Sequence, residues 1–461
     1  MKKLLVIGAG PGGYTAAFYA ADQGLDVTLV DTESRLGGVC LNKGCIPSKA
    51  LLHIARLINE TREAAEWGLK FSDPTIDLNA MRAWKDSIIG KLTSGLKQLN
   101  QQRGLKFVSG HASFLDSNTV NIENGETVSF DHCLIATGSR PVIPAALNLD
   151  SPLIMDSTEA LELRNIPERL LVVGGGYIGL ELGTVYAALG SKVTVVEMTK
   201  DLLPGVDRDL VRILQARLRK QFNQIFTSTR LDSLAEKNGV LEACFEGKEE
   251  VYEYDRALVS VGRVPNTENL SLENTKVKLT DRNFIQVDQN FKTEEGTISA
   301  IGDVIGGAML AHKASHEAKL AVDFLLNKHI EEKAPTIPAV VFTDPEIALC
   351  GISETEAAKS GREVLVSKFP WGASGRATAL GRNDGFTKII TEKESGKILG
   401  VGIVGVGAGE LISEGVLAVE MGATVKDLAH IVHPHPTLSE TVMEAAEVAM
   451  GISTHVYRKK N

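Results

Sequence analysis

Residues 4–20 read LLVIGAGPGGYTAAFYA and residues 170–187 read LLVVGGGYIGLELGTVYA, two versions of one pattern inside a 461-residue chain. Each opens with a short apolar run suited to a buried strand, then passes through a glycine-rich turn into helix-compatible residues. Gly8, Gly10 and Gly13 form GxGxxG in the first copy; Gly174, Gly176 and Gly179 form it in the second. A further strand follows in each case, VTLVD ending at Asp31 and VTVVE ending at Glu197, each 23 residues past the first glycine of its turn. In a dinucleotide-binding unit that acid meets a ribose hydroxyl while the pyrophosphate rests on the helix N-terminus. One such turn is weak evidence, since unrelated α/β proteins use it. Two copies with strand, helix and acid in register predict a duplicated nucleotide-binding α/β fold. Glu197 also predicts NAD rather than NADP on the second copy, because a carboxylate there repels a 2′-phosphate.

A second echo extends the duplication. LIATGSRPVIP at 134–144 resembles LVSVGRVPN at 258–266, each an apolar strand running into a glycine and a prolyl turn. Two Rossmann-like domains are therefore expected, spanning 1–148 and 149–266, with 267–338 and 339–461 left for further domains.

Between the first two strands and the second echo lies GGVCLNKGCIPSK, residues 37–49, with Cys40 and Cys45 near the expected start of a helix. A thiol there feels unpaired backbone N–H groups and the positive end of the helix dipole, which favours its thiolate. Such placement lowers a cysteine pKa from about 8.5 to roughly 3.5–7.5. Pro47 suits a first helical turn, and Lys49, one turn beyond Cys45, adds a positive charge that favours an anion. A dithiol beside a nucleotide site points to redox chemistry. The alternatives are a structural pair or half of a zinc site. Cys133, Cys244 and Cys350 stand apart and alone, so no zinc pattern is completed and no metal is expected.

Composition narrows the partners. Hydrophobic residues make up 43% and charged residues 23% of the chain, which is ordinary for a globular protein. A net charge of -9 argues against a nucleic-acid surface and gives no attraction to anionic lipid. The uncharged stretch 4–21 after Lys2 and Lys3 looks like a secretory signal, but GAGPGG interrupts it, and no later uncharged run is long enough for a membrane span. Five scattered cysteines form no secreted disulfide framework, so a reducing, cytoplasmic setting is expected.

Over essentially its full length the chain resembles the pyridine nucleotide-disulfide oxidoreductases. Gly37 to Lys49 is similar to the family's GGxCxxxGCxPSK, Ala136 to Gly138 to its ATG turn, TISAIGDV to the segment bearing its second flavin acid, and HPHPTLSE at 433–440 to its HxHPTxSE. The resemblance implies FAD on the first half, NAD on the second, a central domain (267–338) completing the FAD site, and a C-terminal α+β dimerisation domain (339–461) that makes a homodimer. It implies flavin contacts from Gly8, Gly10, Gly13, Asp31, Lys49, Thr137, Gly138, Gly302, Asp303, and Met309, Ala311 and His312 of MLAHKA. On the NAD side it implies Gly174, Gly176, Tyr177, Gly179, Glu181, Glu197 and Gly262, with Lys49 and Glu181 paired beside the flavin. Cys40 and Cys45 would form the redox disulfide, and His435, oriented by Glu440, would be the acid–base residue, reaching Cys40 from the other subunit. His433 reads as structural. The implied activity is oxidation of dihydrolipoyl groups with reduction of NAD, the carrier being another chain, either in a 2-oxo acid dehydrogenase complex or in glycine cleavage. Tyr177 departs from the aliphatic residue usual for that activity and keeps open an NADPH-dependent, glutathione-reductase-like alternative. A non-catalytic assembly subunit is the other alternative, against which Cys40, Cys45, His435 and Glu440 all stand.

Overall fold

The computed structural model describes residues 2–123, 125–328 and 335–457. The first apolar run forms the strand Lys3–Ile7, whose Leu4 to Ile7 are buried. It pairs in parallel with Asp26–Asp31 on one side and His132–Ile135 on the other, and the helix Pro11–Asp22 makes the first crossover. Parallel strands need crossovers that cover both faces of the sheet, which is why these strands are apolar at successive positions instead of alternating. Lys106–Ser109 and Ile298–Ala300 form the two edges of this five-stranded parallel sheet.

The second copy repeats the arrangement. Arg169–Val173 lies between Lys192–Val196 and Arg256–Val259, with Gln224–Phe226 and Ile154–Met155 at the edges, again all parallel. Each half adds a three-stranded antiparallel meander, within 112–129 in the first and 231–254 in the second. The two halves also touch through the second echo, since Ser139–Pro141 pairs antiparallel with Arg263–Pro265. The exits of both nucleotide folds are thereby held side by side.

Residues 298–325 return to the first half. Ile298–Ala300 joins its sheet, and the helix Ala311–Leu325 lies against Pro11–Asp22, where the Tyr19 hydroxyl donates to Asp323 Oδ1 at 2.7 Å. Ala318 and Val322 share one apolar core with Leu4 and Val6. Of the region expected to form a central domain, residues 329–334 lie outside the described residues.

From Ala339 onward a five-stranded antiparallel sheet forms in the order 339–341, 346–351, 398–405, 386–392, 364–370. Helices Ala408–Glu420 and Glu440–Met450 pack on it around the fully buried Trp371, whose indole N–H donates to Thr387 Oγ1 at 3.1 Å. A buried indole needs such an acceptor to offset its desolvation. No helix among the described residues is long and apolar enough to cross a membrane.

Candidate active site

Each glycine turn is tight for a steric reason. A Cβ on Gly8 (φ +104°) would stand 2.2 Å from the Ala136 carbonyl oxygen, and one on Gly174 (φ +109°) 2.6 Å from that of Ser260. The third glycine lets helix meet strand: a Cβ on Gly13 or Gly179 would strike the carbonyl of Gly8 or Gly174. The helices that follow, Pro11–Asp22 and Tyr177–Ala188, have Gly10 and Gly176 at their N-caps and no side-chain cap. Ser157–Glu162 and Glu354–Lys359 carry full capping boxes, while several other helices, such as Ala311–Leu325, also lack a side-chain cap. Uncapped N–H groups with close backbone access are what a pyrophosphate requires.

The duplication reaches the carboxylates. Asp31 Oδ2 accepts from Ala9 N at 2.5 Å and Oδ1 from Glu33 N at 2.8 Å; Glu197 Oε2 accepts from Gly175 N and Oε1 from Thr199 N, both at 2.7 Å. Each acid is thus oriented by the turn before it and the residue two beyond it, and each oxygen keeps lone-pair capacity for a hydroxyl donor. Burial raises the pKa of Asp31, outweighing its two backbone bonds.

Cys40 and Cys45 lie on different helices, which corrects the expectation that both sit at one helix start. Cys40 is the third residue of the six-residue helix Gly38–Lys43, and Cys45 heads the 19-residue helix Cys45–Glu63. Gly44, at φ −146° and ψ −106°, breaks the chain between them. Both thiols are free and half-buried. The Cys40 thiol hydrogen-bonds to Cys45 and, with the charge of Lys49, outweighs burial and lowers the Cys45 pKa to about 7. Donating that bond, together with burial, pushes the Cys40 thiol up. In the reduced pair the negative charge therefore belongs on Cys45. Thiolate ultraviolet absorbance of the reduced protein is expected to rise through a midpoint near pH 7, and to lose that step in Cys45→Ser.

Lys49 Nζ lies 2.7 Å from Glu181 Oε2 and 4.4 Å from the centre of the Phe342 ring. Glu181, only 3% exposed, also accepts from Phe342 N at 2.9 Å. The redox helix, the second nucleotide helix and the C-terminal region thus meet at one buried carboxylate. Removing Lys49, whose side chain is 32% exposed, leaves the buried Glu181 carboxylate without its cation, whereas removing Glu181 leaves a lysine that can still reach solvent.

One cavity of about 770 Å³ joins these groups, running from Gly8, Gly10 and Asp31 past Cys40, Cys45 and Lys49 to Tyr177 and Glu181. Thr137, Gly138, Gly302, Asp303, Met309 and Ala311 also line it. His312 is not among the lining residues, and its Nε2 lies 2.7 Å from the Pro338 carbonyl oxygen. Gly13 packs behind the first turn. Gly174, Gly176, Gly179, Glu197 and Gly262 are likewise not in the lining and belong to the glycine turn, strand end and exit of the second half.

Arg263 and Ser139 are among the lining residues that escaped the sequence reading. Arg263 donates from Nε to Ser139 Oγ at 2.7 Å, and Ser139 donates to Asp303 Oδ2 at 2.5 Å, so the second half is tied to an acid of the first. The available signal was their place immediately after the glycine in each echo, at Gly138 and Gly262.

At the far end of the chain, His435 Nδ1 lies 2.9 Å from Glu440 Oε1, and Thr437 N donates to Glu440 Oε2 at 2.7 Å. Burial raises the Glu440 pKa, but these bonds outweigh it and hold the carboxyl below its usual range. The His435 side chain is 78% exposed and stands outside the cavity, so within one subunit it is not brought to Cys40. Asp207, Asp209 and Glu354 converge closely enough to ligate a metal. The ammonium of the buried Lys388 donates to all three, at 2.8, 3.0 and 2.8 Å, and so occupies the place of a cation.

Two glycine turns with oriented acids, and a dithiol in a cleft between them, define a nucleotide-linked disulfide oxidoreductase. The chain belongs to the pyridine nucleotide-disulphide oxidoreductase family, whose model matches residues 2–318, with the family's dimerisation domain matching 337–446. It is 43% identical over 464 residues to a dihydrolipoyl dehydrogenase of Vibrio parahaemolyticus, covering 99% of this chain and 98% of that one. It is also 43% identical over 460 residues to one of Geobacillus stearothermophilus, covering 99% and 97%. Among solved structures it is similar to LpdA of Mycobacterium tuberculosis, with a TM-score of 0.89 at 27% identity over 97% of this chain and 99% of that one.

Proposed function

We propose that this protein is an enzyme that oxidises dihydrolipoyl groups borne by another protein and reduces NAD to NADH. The observation that carries this reading is the single cavity linking the first glycine turn, the Cys40–Cys45 dithiol and the Lys49–Glu181 pair. Its shape and donors fit FAD: an uncapped helix N-terminus for the pyrophosphate, Asp31 for the adenine ribose, and Asp303 for the polar chain beyond it. The second turn with Glu197 fits NAD in the same terms. When bound, FAD carries an electron pair between the dithiol and the nicotinamide.

The chain's own residues perform the sulfur half-reaction. A dihydrolipoyl thiolate attacks Cys40 Sγ of the oxidised pair, the Cys40–Cys45 bond breaks, and Cys45 leaves as the thiolate that Lys49 stabilises. The second dihydrolipoyl sulfur then attacks its partner in the mixed disulfide, releasing lipoyl disulfide and Cys40. His435 accepts the substrate's thiol proton through Nε2, while Glu440 holds Nδ1 and stabilises the imidazolium. The reading requires a homodimer, because His435 must come from the other subunit. Leu417, Met421 and Val432, 62, 76 and 92% exposed, provide uncovered apolar surface on the C-terminal part suited to such contact. A cytoplasmic location, with lipoyl carriers of a 2-oxo acid dehydrogenase complex or glycine cleavage as partners, belongs to the same reading.

The test compares dihydrolipoamide with NAD against glutathione disulfide with NADPH on the purified holoprotein. Turnover of the first pair supports the proposal; preference for the second overturns it. Glu197→Ala is expected to raise the KM for NAD by about tenfold to a hundredfold, the loss of hydrogen bonds to a charged acceptor, and to narrow discrimination against NADP. Unchanged KM values for both nucleotides would contradict the role given to Glu197.

A further inference from the structure

We propose that the His433–Glu414 pair positions the loop presenting His435 and thereby sets the rate of the dithiol half-reaction, an inference that rests on the role given to His435 above. The two histidines of HPHP are built differently. The His433 side chain is 7% exposed against 78% for His435. Both ring nitrogens of His433 face acceptors, Nδ1 at 2.9 Å from the Ile431 carbonyl oxygen and Nε2 at 2.6 Å from Glu414 Oε1. Each ring nitrogen thus has an oxygen within hydrogen-bond distance, one on each side of the ring.

An exposed ion pair contributes little to stability. This one differs because the imidazole is buried and saturated at both ends. It fastens the loop to the middle of helix Ala408–Glu420, while Glu440, at the start of helix Glu440–Met450, fastens it again through His435 Nδ1 and Thr437 N. Between His433 and Thr437 lie only Pro434, His435 and Pro436, whose two prolines fix φ and carry no N–H. An imidazole on so short and stiff a span inherits its place from the anchors. A displacement of about 1 Å in such a group costs up to roughly a hundredfold in rate.

The test uses holoenzyme variants. His433→Leu is expected to lower kcat for dihydrolipoamide about tenfold to a hundredfold and leave NADH oxidation by ferricyanide, which bypasses the thiols, unchanged. Glu414→Gln, whose amide can donate to Nε2 of a neutral His433, is expected to stay within about twofold of the parent. Added to His435→Gln, His433→Leu should cost no more than about a further twofold, because a residue acting through another is silent once that other is gone. Hydrogen exchange at the Thr437 amide, which donates to Glu440 Oε2, should quicken about tenfold in His433→Leu and stay protected in Glu414→Gln. An equal loss in the His435→Gln background, or unchanged exchange, overturns the proposal. A parent enzyme inert toward dihydrolipoamide would instead sink the substrate reading, and the exchange measurement would still decide whether the clamp exists.

Discussion

Cys45→Ser is expected to lose dihydrolipoamide-dependent NADH formation by at least about a thousandfold. Serine preserves size and the helix start, yet an alkoxide cannot close a disulfide with Cys40, and a lone Cys40 thiol has no bond for a substrate thiolate to break. The loss should spare NADH oxidation by ferricyanide, since the glycine turns, Asp31, Glu197 and the Lys49–Glu181 pair are untouched. That split distinguishes a chemical defect from a misfolded site. Turnover equal to the parent's would rule out the route through this dithiol.

The second large effect is expected at His435. Replacing it with glutamine removes the proton acceptor while keeping a donor that Glu440 can accept from, so folding and dimerisation should persist. General acid–base groups contribute about 10²–10⁴-fold, and kcat for dihydrolipoamide should fall within that range. Glu440→Gln should also lower kcat, because an amide whose oxygen accepts from Thr437 N turns its NH2 toward His435 Nδ1 and favours the tautomer with the hydrogen on Nε2, which cannot take the substrate's proton. A His435→Gln enzyme with the parental kcat would show that the proton goes elsewhere.

Much of the architecture was legible because glycine turns leave little freedom. A residue needing positive φ beside a carbonyl, as at Gly8 and Gly174, allows few other side chains, and a strand buried on both faces must be apolar throughout. The duplication multiplied that signal. Long-range pairings were less legible. Ile298–Ala300 reads as an ordinary short Ile-Ser-Ala run, and nothing local says that it completes a sheet begun at Lys3. The antiparallel pairing of Ser139–Pro141 with Arg263–Pro265 depends on how the halves dock, and with it the Arg263–Ser139–Asp303 chain of hydrogen bonds. The separate helices of Cys40 and Cys45 turn on one residue, Gly44, whose unusual dihedrals the spacing of the cysteines does not reveal. His435 is the extreme case. Its chemistry is plain from the HPHPTLSE pattern and its bond to Glu440, but its distance from Cys40 along the chain and within one subunit hides where it works.

Anaerobic titration of the purified yellow holoprotein with dihydrolipoamide, without NAD, probes the dithiol-to-flavin link most directly. The parent should show its visible flavin spectrum change as the dithiol is consumed, then return on addition of NAD with appearance of NADH, and Cys45→Ser should show neither. A flavin spectrum that dithiol leaves unmoved in the parent, or moves equally in Cys45→Ser, would contradict the account.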